Sequence, residues 1–538
     1  MAVLLVPALI ASISLLPLLG LYILRFLLKT AGDHLRRRTS ARRELILQRV
    51  QLDEQHLSST REAPQRTEEE DWERVESYAA STAEKRATHQ EKDYAGVIGF
   101  FHPFCNAGGG GERVLWAAVR ATQQRWPRAV CVVYSGDHDV DKAAMIKRVH
   151  TSFGISLHAP TLVFLYLSTR HLVLASTYPR FTLLGQSLGS LVLAYDAFGL
   201  LVPDIFIDTM GYAFALAFAK YLFPKMPVAA YVHYPIISTD MLGSLDDRSG
   251  GKGVNAGAGA GLRGKAKKIY WRLFARLYGW VGSHIDVIMC NSTWTKGHIT
   301  ALWKTKNQPD SFAKIVYPPC PVEEMERRIN VSANAEKERK HQILYIAQFR
   351  PEKNHPLILR SFAEYVRNLP EGSDPAQLVL IGSVRSNTPD ELHIYNLRLQ
   401  AHELSIDKIT EFITDAPYST ILKYLQTASI GTNGMWNEHF GIGVVEYLAA
   451  GLIPVVHDSG GPKLDIVVPH DGKPTGYHAE TAAEFAEGYR RVMQMEPEER
   501  YAMRVRGREV AKTFTEEAFA RKWIEQVEKL ISMQTGRA

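Results

Sequence analysis

Asn437-Glu438-His439-Phe440-Gly441-Ile442-Gly443-Val444-Val445-Glu446 sets two carboxylates as E-x7-E around a pair of glycines, and the reading of this stretch decides the fold. The apolar residues after Gly441 predict a helix through Leu448 and Ala450, stopped at Gly451. At its start Gly441, Ile442 and Gly443 bring bare backbone close to a ligand. The first-turn N–H groups have no partner inside the helix and present a positive dipole end to an anion, for which a diphosphate is the natural guest. Glu438 precedes that N-terminus and Glu446 lies more than a turn inside it, so the first suits a sugar and the second a ribose. Two Glu at this spacing are often only a solvated face, and the neighbouring sequence has to decide between the two readings.

Two further segments tip the balance. Ile346-Ala-Gln348-Phe-Arg350-Pro-Glu-Lys353 follows a strand-like Ile343 to Ile346, and Asp458-Ser-Gly460-Gly461-Pro462 follows another, Ile453 to Val456. Together with E-x7-E they resemble family 4 of the retaining glycosyltransferases. The glycine loop Asn106-Ala-Gly108-Gly109-Gly110-Gly111-Glu112-Arg113 is similar to that of a narrower group, the endoplasmic-reticulum α-1,2-mannosyltransferases of N-glycan precursor assembly. The resemblance covers the chain from about Tyr94 to its end. It implies a GT-B fold, two Rossmann-like α/β domains facing a cleft, with the nucleotide sugar held by the C-terminal one. It implies GDP-mannose as donor and a dolichyl-diphosphate-linked oligosaccharide as acceptor.

The resemblance also assigns roles. Glu438 matches the family Glu at the transferred sugar and Glu446 the one at the ribose, with Gly441, Ile442, Gly443, Gly460 and Gly461 as donor-binding backbone. Lys353 matches the Lys on the donor diphosphate. The family writes G-R-L-x-x-E-K-G here, and this chain has Gln348 where the Arg stands; Arg350, two positions on, is the candidate replacement. His233, closing the strand-like Val228 to Val232, matches a His beside the sugar. Gly108 to Gly111 would bind phosphate, either on the donor or on the lipid acceptor. Asp465 stands near the position of a family Glu and receives no role.

Alternating strand and helix patterns predict two parallel-sheet halves. Val97 to Phe101, Ala129 to Tyr134, Leu162 to Leu167, Asp204 to Ile207, Val228 to Val232 and Ile285 to Cys290 are the strands of a domain over residues 94–320 that faces acceptor and membrane. Ile343 to Ile346, Leu378 to Ile381, Ile409 to Ile413 and Ile453 to Val456 belong to a second domain, 341–538, whose final helices pack back. The proline-rich and then charged residues 321–340 read as the linker. The helix-like Lys265 to Trp280 mixes basic and aromatic residues, which suits either a buried core or a bilayer interface. Asp137-His-Asp139 resembles a metal-binding D-x-D but reads as a solvated turn, and no His or Cys spacing fits zinc. The expectation is therefore no metal and no other cofactor.

Ala2 to Leu24 carries no charge and would span roughly 35 Å as a helix, against a hydrocarbon core of about 30 Å. The cations follow it, from Arg25 through Arg43, which predicts an uncleaved anchor over residues 1–28 with the remainder cytosolic. Residues 29–93 read as a basic and then acidic stalk. Four scattered cysteines fit a reducing compartment, and the sequons at Asn291 and Asn330 would then go unused. A net charge of +6 concentrated beside the apolar run favours anionic lipid over nucleic acid as partner. The expectation is an endoplasmic-reticulum membrane protein, open to a complex with other mannosyltransferases of the pathway. The alternatives are a related transferase with another donor or linkage, or a non-catalytic GT-B scaffold subunit.

Overall fold

The computed structural model describes residues 2–61, 94–247, 257–304, 309, 312–385 and 388–536. Strands β1 (Val97–Phe101), β2 (Val130–Ser135), β3 (Leu162–Tyr166), β4 (Ile205–Asp208), β5 (Val228–Val232), β6 (Val287–Cys290) and β7 (Ala313–Ile315) form one sheet. Their order is β3-β2-β1-β4-β5-β6-β7, and every neighbouring pair is parallel. The second sheet, also parallel throughout, joins β8 (Lys340–Ile346), β9 (Gln377–Gly382), β10 (Thr410–Thr414), β11 (Ala428–Asn433), β12 (Ile453–His457) and β13 (Tyr477–Ala479) in the order β10-β9-β8-β11-β12-β13. Strands buried on both faces explain the continuous apolar runs, since helices cover each sheet on both sides. Each order reverses once, at β1/β4 and at β8/β11, and ligands of open parallel sheets sit beyond the carboxyl ends of strands at such points.

The helices that matter for the site are α1 (Ala2–Arg61), α2 (Gly110–Arg125), α3 (Lys142–Phe153), α4 (Thr182–Leu200), α5 (Ala213–Leu222), α6 (Gly261–Gly282), α7 (Thr293–Trp303), α8 (Val322–Arg328), α9 (Ile442–Ala450), α10 (Pro497–Ala511) and α11 (Glu516–Thr535). Helix α11 leaves the second domain and packs on the first sheet. Trp523 and Phe519 are buried beside Phe100 and Tyr231, and Trp523 Nε1 donates to Thr122 Oγ1 at 3.0 Å. Glu516 clasps both Arg113 and Arg120 of α2, at 2.6 and 2.7 Å.

Three expectations change here. Residues 29–61 are helical, one of the two forms open to a stalk, but they do not stand away from the protein: they continue α1 and lie against the first domain. Leu35 is fully buried, Arg42 donates to the carbonyls of Gly199 and Leu200, and Arg43 pairs with Asp204 at 2.5 Å. The acidic run Glu68 to Asp71 lies outside the described residues, as do the side chains of residues 1–18 and 21 that would carry most of an anchor. The 321–340 segment is not an open linker either. Val322, Met325 and Ile329 join the second domain's core, and Glu336 is buried under Arg504 of α10, whose Nε donates to it at 2.6 Å. Asp137 is no solvated turn: it pairs with Arg170 and accepts from the backbone N of Asn106 at 3.0 Å, tying down the chain just before the glycine loop.

Helix α6 divides its residues between the two roles. Trp271, Phe274 and Tyr278 are core, whereas Leu262, Ile269, Leu273 and Trp280 form an outward apolar stripe among Arg263, Lys265, Arg272 and Arg276. Among the described residues one helix, α4, is long and apolar enough to cross a membrane; its Leu193, Ala194, Ala197 and Phe198 are buried in the first domain's core. All four cysteines are free and buried, and burial pushes the Cys105 thiol up to about 12.

Candidate active site

The two reversal points face each other across a cleft of about 620 Å³. Its walls carry Gly109 to Gly111, His233 and Asn291 from the first domain, and Gln348, Lys353, Glu438 to Gly443 and Glu446 from the second. Lys353 ends the short turn after β8, and its Nζ lies 2.6 Å from Glu438 Oε2. Burial pushes the Glu438 carboxyl up, but the Lys353 charge and hydrogen bond outweigh it and hold the group below its usual range, with Asn433 adding to this. Glu438 is thus an ionised acceptor on the floor of the cleft.

Glu446 faces the cleft from the second turn of α9. Burial pushes its carboxyl up to about 7, against the pull of Arg113. Gly441, with φ of 108°, caps α9 in a left-handed conformation open to few residues but glycine, and the first N–H groups of the helix open onto the same cavity. His233 donates from Nε2 to the Thr209 carbonyl at 3.1 Å, and burial pushes it down to about 4, so it sits in the wall as a neutral ring.

The glycine loop is held from beneath. The N–H of Gly109 donates to Glu112 Oε2 at 2.5 Å, and the other carboxylate oxygen of Glu112 lies 3.6 Å from the buried His102. That N–H is therefore spent inside the protein, and the loop faces the cleft with Gly110 and Gly111. Gly108, with Gly109 and Gly110, lines an adjoining cavity of about 490 Å³ together with Arg113, Arg328 and Tyr418, which meets the cleft along Ile442 and Glu446.

Three of the expected donor groups fall elsewhere. Arg350 does not reach the cleft wall, where Gln348 stands instead; Arg350 lies toward Asp390, and its charge helps to lower that carboxyl. Gly460 and Gly461 also miss the wall. A Cβ on Gly460 would meet Glu438 O at 2.3 Å, and the Gly461 N–H donates to that same carbonyl at 2.7 Å. Their smallness lets the loop after β12 press on the backbone that carries Glu438.

Other groups at or near the cleft were given no role there by the sequence reading. His439 and Asn291 line it, and Asn291 is buried in the folded chain and accepts from Thr295 Oγ1 at 2.6 Å. Asp465 links the domains, accepting from the Thr293 N–H at 2.9 Å and from the Tyr317 hydroxyl at 2.8 Å. A lone residue type carried no signal in these cases; only the meeting of the two halves reveals them.

Comparison with known proteins agrees with this architecture. Residues 95–303 match the family described as ALG11 mannosyltransferase N-terminus, and residues 326–510 match Glycosyl transferases group 1. Solved structures share the fold at low identity. Trehalose-6-phosphate synthase from Burkholderia multivorans gives a TM-score of 0.58 at 12% identity, covering 83% of this chain and 100% of its own. Anabaena HepE, solved with UDP and glucose, gives 0.53 at 12%, covering 80% and 98%. These neighbours establish GT-B. Among sequence relatives, a Neurospora crassa protein is 55% identical over 536 residues, 96% of this chain and 95% of its own. A Homo sapiens protein is 46% identical over 439 residues, 81% of this chain and 87% of its own. With matches of that depth over both domains, the chain belongs to the glycosyltransferase family whose members share the name GDP-Man:Man(3)GlcNAc(2)-PP-Dol alpha-1,2-mannosyltransferase.

Proposed function

We propose that this enzyme transfers mannose from GDP-mannose to a trimannosyl dolichyl-diphosphate-linked oligosaccharide in α-1,2 linkage. The observation that carries the reading is the pairing of Lys353 with Glu438 at the mouth of α9, because it puts an ammonium and a carboxylate where a sugar diphosphate needs both. With donor in place, Lys353 turns to the diphosphate beside the N-terminus of α9, and Glu438 accepts from the sugar hydroxyls. Glu446 takes the ribose hydroxyls one turn further on.

As the anomeric bond breaks, negative charge grows on the leaving diphosphate and positive charge on the ring. Lys353 and the first N–H groups of α9 stabilise the former, and removing one such preorganised donor costs about 10²–10³ in rate. In a retaining transfer the acceptor hydroxyl attacks from the face the phosphate leaves, and a phosphate oxygen takes its proton. No side chain is assigned as a covalent nucleophile. His233, neutral and fixed by Thr209, packs beside the sugar rather than titrating. Lysine and helix N-terminus supply the positive charge, and the reading includes no metal.

The enzyme acts on the cytosolic face of the endoplasmic reticulum, held by the apolar N-terminal segment. The outward stripe of α6, together with exposed Leu188, Val192 and Tyr195 on α4, supports a first domain lying on lipid with its cations toward anionic headgroups. The deciding experiment measures labelled mannose transfer from GDP-mannose to the trimannosyl lipid in detergent, for the native chain and for Glu438→Ala. Product from the native protein and a loss of about 10² or more in the variant supports the reading. A native chain that transfers no mannose overturns it.

A further inference from the structure

Glu438 stands between two residues that the other domain grips. On its N-terminal side, Asn437 Nδ2 donates to Asp240 Oδ2 at 2.6 Å. Asn437 is one of the few non-glycine residues in the left-handed region, with φ of 53°, and its own N–H donates to Ser459 Oγ at 2.7 Å. On the C-terminal side, the His439 ring stacks on Tyr234 with centroids 5.1 Å apart and lies 5.0 Å from Trp294. Asp240, Tyr234 and Trp294 all belong to the first domain. Asp240 is itself fixed, since the same oxygen accepts from Trp294 Nε1 at 3.2 Å and lies 3.3 Å from His298 Nε2, while Thr239 Oγ1 meets the other ring nitrogen of His298 at 2.7 Å.

We infer that Asp240 is a positioning residue for Glu438. It is the first domain's half of a clasp that sets the sugar-binding carboxylate only when the domains are closed. Asp240 does not line the cleft, so it acts through Asn437 and not on substrate. The backbone between Asn437 and His439 otherwise rests on Ser459 and the glycines after β12, and once Lys353 turns to the diphosphate a loop supported from the second domain alone leaves the Glu438 carboxylate held by Asn433, at 3.5 Å. A misplacement of about 1 Å in such a group costs on the order of 10²-fold in turnover. The clasp therefore makes the geometry of the sugar subsite conditional on closure, while the nucleotide end, built within the second domain, binds without it. This inference rests on the reading of Glu438 as the sugar contact.

The test compares Asp240→Ala, Asn437→Ala and the double variant in the full-length enzyme, reading kcat, donor KM, GDP affinity by calorimetry and amide exchange of residues 437–441. Each single variant is expected to lower kcat by about 10- to 100-fold with GDP affinity within about twofold of native. The double variant should be no worse than either single one, because both remove the same link. Donor-induced protection of the 437–441 amides should disappear in all three. Additive losses, or a loss confined to Asp240→Ala with Asn437→Ala normal, would overturn the clasp. If Glu438→Ala keeps its turnover, the sugar reading of Glu438 falls on that result alone, whereas the coupling of closure to this loop is judged by the exchange measurement.

Discussion

At the residue scale, Glu446 makes the donor site sensitive to pH. Its carboxyl, raised to about 7 by burial, accepts ribose hydroxyls best when ionised, so binding the donor below that pH must first expel a proton. Donor KM should therefore rise as pH falls from about 8 to about 6, approaching tenfold per unit at the acid end. Glu446→Gln should flatten the profile, measured as KM against pH with the lipid acceptor saturating. Glu438, held low by Lys353, stays ionised across the same range and adds no slope. A second prediction concerns Gly460, which has φ of 66° and whose Cβ would meet Glu438 O at 2.3 Å. Gly460→Ala should cut turnover by about tenfold or more while leaving the circular dichroism spectrum in place, because it shifts the carboxylate rather than the sheet. That Glu438, Glu446 and Lys353 would meet at the cleft was legible, the two carboxylates from their spacing around a helix start and Lys353 from the family resemblance. Arg350 was misplaced because sequence offset gives no side-chain direction: two residues on, the chain has already turned toward Asp390.

At the element scale, the small buried pair beneath the second domain carries a measurable share of stability. Arg504 is almost wholly buried, with Glu336 and the carbonyls of Ser429 and Gly451 as its acceptors. Arg504→Ala leaves the buried Glu336 with Arg500 alone, at 2.9 Å, and takes the donor from two buried carbonyls, so it should destabilise the second domain by about 1–3 kcal/mol, read by denaturant unfolding of the full chain. The same region shows why β11 escaped the sequence reading while β5 and β12 did not. Ala428-Ser-Ile-Gly-Thr-Asn433 is a central strand without an apolar run, because Tyr447 of α9 packs where side chains would stand; a Cβ on Gly431 would lie 2.3 Å from that ring. A strand chosen for thinness has no hydrophobic signature to find. The 321–340 segment misled for the opposite reason, since most of its charges face out while Val322, Met325 and Ile329, with the paired Glu336, hold it to the core.

At the scale of the whole molecule, α1 and α11 bind the parts together; the return of the final helices was expected, but the surface that receives each helix is not encoded as a local pattern. Helix α1 crosses α5 so closely that a Cβ on Gly32 would lie 2.0 Å from the Leu222 carbonyl. Gly32→Leu should force the helices apart, and limited proteolysis should then cut between residues 29 and 61 far faster than in the native chain. Native-like resistance in that variant would show that the crossing is not what seats α1. The two-sheet design and the position of the cleft between its halves follow from strand and helix periodicity, but periodicity says nothing about which surface receives a remote helix.

The unbroken run of α1 into the first domain makes the helix a handle. A sixty-residue helix rises roughly 90 Å, and its second half is seated by Leu35, Arg42 and Arg43 with no intervening joint. Any tilt or rotation of its first half is passed to the cleft as the same tilt or rotation. On the proposed membrane placement, bilayer thickness becomes a setting on the height at which the enzyme meets its glycan, and the growing sugar chain is measured against a ruler of fixed length.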